Sequence, residues 1–147
     1  MEQTDRYYMS IAKNIAKESR CLRRKVGAIL VAQDEKTIVK SVNNPIPDKL
    51  FCEMEGCLRE KHGIASGMQI EICRCVHAET SLIIQCALDS VSPAGASVYT
   101  TLFPCQICAK ILCASGIKRL IYVEPYSNLS AQSIFQRHDV EIIQLIL

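Results

Sequence analysis

The sequence predicts an α/β fold, a three-layer α/β/α domain on a central five-stranded mixed sheet, and two observations carry that expectation. Strand-like apolar runs alternate with helical patterns after an opening hairpin, and 147 residues with 49% hydrophobic content suit one compact core. Residues 1–147 are read as a single domain.

The elements follow in chain order. Thr4 or Asp5 can cap a helix in which Tyr8, Ile11, Ala12, Ile15 and Ala16 recur at helical spacing, and the basic cluster at residues 20–25 ends it. Residues 26–32 and 37–42 are strand-like and joined by Gln33-Asp34-Glu35-Lys36, the pattern of an antiparallel hairpin. Periodicity then vanishes over residues 43–76, where Pro45, Pro47, Gly56, Gly63 and Gly67 gather beside Cys52, Cys57, Cys73 and Cys75. A structureless loop of that length needs something to pin it. A helix over residues 77–88 is followed by a turn at Ser92-Pro93-Ala94-Gly95 and a strand over residues 97–101. The next helix starts near Pro104 and stops around Gly116, and strands at 119–124 and 140–146 flank a short helix at 130–137.

Seventeen basic residues against fifteen acidic ones, a formal charge of +2, are too balanced for an extended nucleic-acid or membrane surface. A small anionic substrate fits that balance. The first six residues lack a basic-then-apolar leader layout and the apolar runs fall short of a membrane span, so a cytoplasmic protein is expected. In that reducing compartment, nine cysteines point to metal ligation or burial rather than to disulfides.

His77-Ala78-Glu79 opens one predicted helix and Pro104-Cys105-Gln106-Ile107-Cys108 opens the next. Zinc accepts nitrogen and thiolate ligands, and catalytic sites keep three protein ligands plus water, so His77, Cys105 and Cys108 make a complete open set. The two residues between the cysteines let both thiolates converge within one turn, and a helix N-terminus favours thiolate over thiol. Glu79, two residues past the histidine, is placed to shuttle protons without binding the metal. The bland alternative makes Glu79 a solvated charge and the cysteines a structural half-site or buried thiols.

The H-x-E and P-C-x-x-C pair resembles the signature of zinc-dependent nucleotide deaminases of the cytidine deaminase-like superfamily. Within it, Ser19-Arg20-Cys21-Leu22-Arg23-Arg24-Lys25-Val26-Gly27-Ala28, Gly56-Cys57-Leu58-Arg59-Glu60, Ser66-Gly67 and Cys73-Arg74-Cys75-Val76-His77-Ala78-Glu79 are similar to the dCMP deaminase family. So is Ser115-Gly116-Ile117-Lys118-Arg119-Leu120-Ile121-Tyr122, and the similarity spans nearly the whole chain. The resemblance implies a cytidine deaminase-like fold and zinc-dependent hydrolysis of dCMP to dUMP plus ammonia. It also implies a homo-oligomer and substrate contacts at Ala78, Asn43 and Tyr126. Arg23 and Arg24, at the mouth of the first strand, read either as partners of a 5'-phosphate or as a solvated helix cap. Asn43 reads either as a sugar contact or as a turn residue before Pro45. Several relatives of this kind carry a second, structural zinc, which would fall on Cys21, Cys52, Cys57 and Cys73 here; Cys75 and His62 are less favoured, and Cys86 and Cys113 are assigned to packing.

The family's G-Y-N-G stands here as Ser41-Val42-Asn43-Asn44, and its H-A-E-x-N-A-I as His77-Ala78-Glu79-Thr80-Ser81-Leu82-Ile83. The resemblance therefore does not carry dCTP/dTTP regulation over to this chain. It leaves open another amino-pyrimidine or amino-purine nucleotide, nucleoside or specialised metabolite, and, in a different class, a non-catalytic zinc-stabilised nucleotide-binding protein. The apolar tail at residues 142–147 suits a subunit contact or an interior strand.

Overall fold

The computed structural model describes residues 2–46, 51–126 and 129–146. Its first helix, α1 (Glu2–Ala16), buries Met9, Ala12, Ile15 and Ala16 along one stripe. The helix begins at Glu2, so Asp5 is not its cap; only 4% exposed, Asp5 accepts a hydrogen bond from the Tyr99 hydroxyl at 2.7 Å and pairs with Arg119 at 3.1 Å. Burial, and then that bond to Asp5, pushes the Tyr99 phenol above its ordinary range.

Strands β1 (Gly27–Val31) and β2 (Ile38–Val42) form the expected antiparallel hairpin. Asp34 closes its turn by accepting the amide protons of Thr37 at 2.8 Å and Lys36 at 2.9 Å and the Thr37 hydroxyl proton at 2.7 Å. Those bonds, the Thr37 amide first, hold its carboxyl down at about 2.

Residues 43–76 are more ordered than their lack of period implies. Strand β3 (Asn44–Pro45) pairs antiparallel with β4 (Cys75–Val76), and two short helices, α2 (Phe51–Glu55) and α3 (Leu58–Lys61), lie between them. Helices of five and four residues are too short to show an apolar stripe, which is why the sequence gives no sign of them. Pro47 and the rest of 47–50 lie outside the described residues.

Helix α4 (Ala78–Leu88), β5 (Ser97–Leu102), α5 (Gln106–Ala114), β6 (Arg119–Glu124), α6 (Gln132–Arg137) and β7 (Glu141–Gln144) complete the chain. Helix α5 starts at Gln106 rather than at Pro104, because Cys105 takes the N-cap position.

The five-stranded sheet runs in the order β2-β1-β5-β6-β7, with β1 antiparallel to both neighbours and β5, β6 and β7 parallel. Side chains alternate between its faces. Ala28, Leu30, Val98 and Leu120 pack with Leu82 of α4, Leu112 of α5 and Phe135 of α6, whereas Ile29, Val31, Tyr99 and Ile121 pack with Met9, Ala12 and Ile15 of α1. The result is the expected mixed sheet between two helical layers. Cys86 is buried in the first of these cores and Cys113 packs against it. In the tail, Leu145 is buried and Ile146 is 84% exposed, and Leu147 lies outside the described residues. No described helix is long and apolar enough to cross a membrane.

At Gly27 the backbone of α1 comes close against the sheet. A Cβ there would collide with the Ala12 carbonyl oxygen and lie 2.8 Å from the Ala16 nitrogen. Gly27→Ala is therefore expected to lower the unfolding free energy by about 1–3 kcal/mol, read from urea denaturation. For Asp34, whose folded pKa is depressed, the stabilisation is present above the ordinary 3.8 and is lost as pH falls to about 2. Asp34→Ala should accordingly flatten the acid-side fall in melting temperature across that window.

Candidate active site

The strand directions decide where the site forms. With β1 antiparallel to β2 and β5, and β6 parallel to β5, the start of β1 and the ends of β2, β5 and β6 emerge at one edge of the sheet. Arg23 and Arg24 precede β1, Asn43 follows β2, Cys105 follows β5 and Tyr126 follows β6. All five line one cavity of about 300 Å³ into which His77, Ala78 and Glu79 also project.

Helices α4 and α5 both begin at this cavity. His77 is the N-cap of α4 and Cys105 the N-cap of α5, where the Cys105 Sγ accepts the Cys108 amide proton at 3.5 Å. His77 Nδ1 stands 3.5 Å from the Sγ of Cys105 and 3.5 Å from that of Cys108. In tetrahedral zinc sites with typical Zn–N and Zn–S bonds, nitrogen and sulfur ligands lie about 3.6 Å apart, so the donor set and its spacing fit that ion. All three ligand atoms fall within 4.8 Å of one another, and no second such trio of metal-type ligands occurs among the described residues.

The ionisation states agree with a ligand cluster. The Cys105 thiol is pulled down to about 4, first by its hydrogen bond with Cys108 and then, against burial, by His77. His77 is raised to about 9 by the Cys105 hydrogen bond, and Cys108 is pushed up because it shares its proton with Cys105. Burial pushes the Glu79 carboxyl, 4% exposed, above the ordinary carboxylate value, with the charge of His77 foremost among the effects that oppose it. A carboxyl in that condition exchanges a proton nearer neutrality. The Thr80 hydroxyl lies 3.4 Å from the Cys108 Sγ.

Asn43 is buried and its side chain is engaged by the backbone. Its Oδ1 accepts from the Val26 amide and the Ser19 hydroxyl at 2.7 Å each, and its Nδ2 donates to the Arg24 carbonyl at 2.7 Å. It thereby fixes the segment that carries Arg23 and Arg24. Arg24 pairs with Glu124 at 2.9 Å on the rim, while Arg23 donates from Nη2 to the Ile64 carbonyl at 2.8 Å. The Ala78 carbonyl accepts from the Ser41 hydroxyl at 2.6 Å. Burial raises the Tyr126 phenol.

Arg59 also lines the cavity, although nothing in the sequence singles it out for a role. It sits on the four-residue α3, and its only signal was membership of the Gly56-Cys57-Leu58-Arg59-Glu60 stretch. The remaining thiols gather beside it. Cys75 hydrogen-bonds with Cys21, which falls to about 5, and with Cys73, which falls to about 6, and Cys52 contacts Cys75 as well. Cys21, Cys57, Cys73 and Cys75 share the cavity wall.

Fold and cluster together define a hydrolase of the deaminase type on the cytidine deaminase-like fold. The chain belongs to the cytidine and deoxycytidylate deaminase family, whose zinc-binding region matches residues 2–124. ComE operon protein 2 of Bacillus subtilis (strain 168) is 33% identical over 144 residues, covering 97% of this chain and 71% of that protein. The deoxycytidylate deaminase of Mycobacterium phage D29 is 32% identical over 123 residues, covering 80% of this chain and 92% of its own. The crystal structure of dCMP deaminase from the cyanophage S-TIM5 in complex with dCMP and dUMP superposes with a TM-score of 0.80 at 25% identity, over 97% of each chain.

A divalent ion entering the cluster displaces the protons held on His77 and Cys108. Apparent zinc affinity of the metal-free protein is therefore expected to climb as pH rises toward the His77 value of about 9. Calorimetric titration in two buffers of different ionisation enthalpy counts the protons released.

Proposed function

We propose that this chain hydrolyses dCMP to dUMP and ammonia with a zinc ion held by His77, Cys105 and Cys108. The observation that carries the reading is the buried Glu79 carboxyl lining the same cavity as His77 and Cys105 of that three-ligand cluster, with Arg23, Arg24 and Arg59 on its wall. The relatives named deoxycytidylate deaminase, and the cyanophage enzyme seen with dCMP and dUMP, support the substrate.

Zinc, when bound, lowers the pKa of its water to about 7 and so supplies a nucleophile at neutral pH. Glu79 would take one proton from that water and deliver it to the ring nitrogen as the oxygen bonds to the amine-bearing carbon, and would then carry the oxygen's remaining proton to the amine, whose bond to carbon breaks as ammonia leaves. Its raised pKa suits both halves of that task, since the group must hold a proton and release it within one turnover. Ala78 and Asn43 border the base and sugar, Tyr126 flanks them, and Arg23 with Arg24 lies toward the 5'-phosphate. The partner is thus a small nucleotide.

A second, structural zinc on Cys21, Cys52, Cys57 and Cys73 remains part of this reading. It is supported by Cys21, Cys57, Cys73 and Cys75 sharing one cavity wall, although they are not drawn together as closely as the His77 cluster, and Cys75 is a further ligand candidate. Exposed Ile84 and Leu88 on α4 and Ile107 on α5 support a contact between copies of the chain in a homo-oligomer. A cytoplasmic setting keeps such thiols reduced.

Glu79→Gln should retain zinc, by elemental analysis, while kcat for ammonia release from dCMP falls by about 10²- to 10⁴-fold. His77→Ala, Cys105→Ala and Cys108→Ala should each lose the catalytic zinc. Turnover of dCMP by Glu79→Gln at the parent rate refutes the proton-carrier role. Zinc-loaded parent that releases no ammonia from dCMP, from related amino-nucleotides or from nucleosides would instead be a nucleotide-binding protein.

A further inference from the structure

We infer that Thr80 is a positioning residue for the deamination: its hydroxyl donates a hydrogen bond to the Cys108 thiolate and so keeps the metal centre electrophilic. The inference rests on the metal centre proposed above, and it gives one of that centre's two sulfurs a donor from the neighbouring helix.

Thr80 is half-buried, and its Oγ1 lies 3.4 Å from the Cys108 Sγ, within reach of a hydrogen bond to sulfur. Either atom could donate while the thiol keeps its proton. A cysteine that ligates a metal does so as the thiolate, however, and a thiolate only accepts. The bond then runs from the Thr80 hydroxyl to the Cys108 sulfur.

The fold builds this contact. Thr80 is the third residue of α4 and Cys108 the third residue of α5, the two helices whose N-caps are His77 and Cys105. Helices that start at one cavity bring their first turns within reach of each other. On β2, the Ser41 hydroxyl donates to the Ala78 carbonyl at 2.6 Å and ties the turn that carries Thr80 to the sheet. The other sulfur is served from its own helix, since the Cys105 Sγ accepts the Cys108 amide proton at 3.5 Å. Each ligating sulfur thus has a protein donor, an amide for Cys105 and a hydroxyl for Cys108.

Metal chemistry explains why such a donor matters. Two thiolates cancel the formal charge of a divalent ion, and a centre neutralised in this way is a weaker Lewis acid than one held by imidazoles. A hydrogen bond to the thiolate draws negative charge off the sulfur and returns positive character to the ion, as partners of metal ligands do elsewhere. Thr80 exerts this through Cys108 and not on the nucleotide. Cys105 faces the cavity, while Cys108 and Thr80 are not among the described residues that line it. Thr80→Val keeps the β-branched shape and removes the donor.

Cobalt(II) in place of zinc gives a readout that needs no turnover. The sulfur-to-cobalt charge-transfer band that Cys108→Ala removes belongs to this site. A donor lowers the energy of the sulfur lone pairs, so Thr80→Val is expected to move that band to longer wavelength and Thr80→Ser to leave it in place. In the zinc form, Thr80→Val should retain its metal by elemental analysis, lose about 10-fold in kcat for ammonia release from dCMP and keep its KM, with Thr80→Ser close to the parent. A band that stays put in Thr80→Val, or a Thr80→Ser protein that matches Thr80→Val in both readouts, overturns the inference. So does a rise in KM at unchanged kcat, which would set Thr80 against the nucleotide. If the parent leaves dCMP untouched yet the band shifts in Thr80→Val and not in Thr80→Ser, the proposed reaction fails and the hydrogen bond to Cys108 stands.

Discussion

Two helices that aim their N-termini at one point bring together unmet amides and like partial charges, an arrangement that needs negative charge between them. In this chain α4 and α5 meet in that way, with His77 and Cys105 as their caps. The thiolate favoured at Cys105 answers the constraint, and the three donor atoms it gathers are the ones a tetrahedral ion needs. The metal-type site is thus also the device by which the helix pair is held, so the chemistry and the packing cannot be altered separately there.

The strand order sets the second condition. Because β1 runs against β5 while β6 runs with it, segments distant in sequence arrive at the same edge. Asn43 then joins three of them: its own position after β2, the backbone at Arg24 and Val26, and Ser19 at the end of the first-helix segment. One asparagine replaces what would otherwise be unsatisfied backbone groups at an irregular entry to the sheet. The cavity this creates brings the Glu79 carboxyl and the Cys105 thiol together with the guanidinium groups of Arg23 and Arg59.

The sequence reads clearly where function depends on local spacing. His77, Glu79, Cys105 and Cys108 sit in two short windows at helix starts, so their convergence follows from helix geometry and from the chemistry of their side chains. The alternation of Ala28, Ile29, Leu30 and Val31 between the two cores is equally local. What stayed hidden depends on contacts across long separations. Asp5 resembles a helix cap until Tyr99 and Arg119, 94 and 114 residues away, claim its carboxylate. Arg59 sits on a helix too short to show a period, and whether an arginine in such a segment faces solvent or a cavity is decided only when residues 64 and 65 fold back over it.

The turn between β1 and β2 lies at the opposite edge of the sheet, where Gly95 comes close to the Gln33 side chain. Five residues of strand, about 17 Å, separate that edge from the cavity. Segments that ligate, bind or carry protons leave the sheet on one side, and the Asp34 hairpin turn leaves it on the other. The molecule therefore has a chemically silent pole, where added sequence, a fused domain or relocated chain ends can be accommodated without entering the electrostatics of the reacting one.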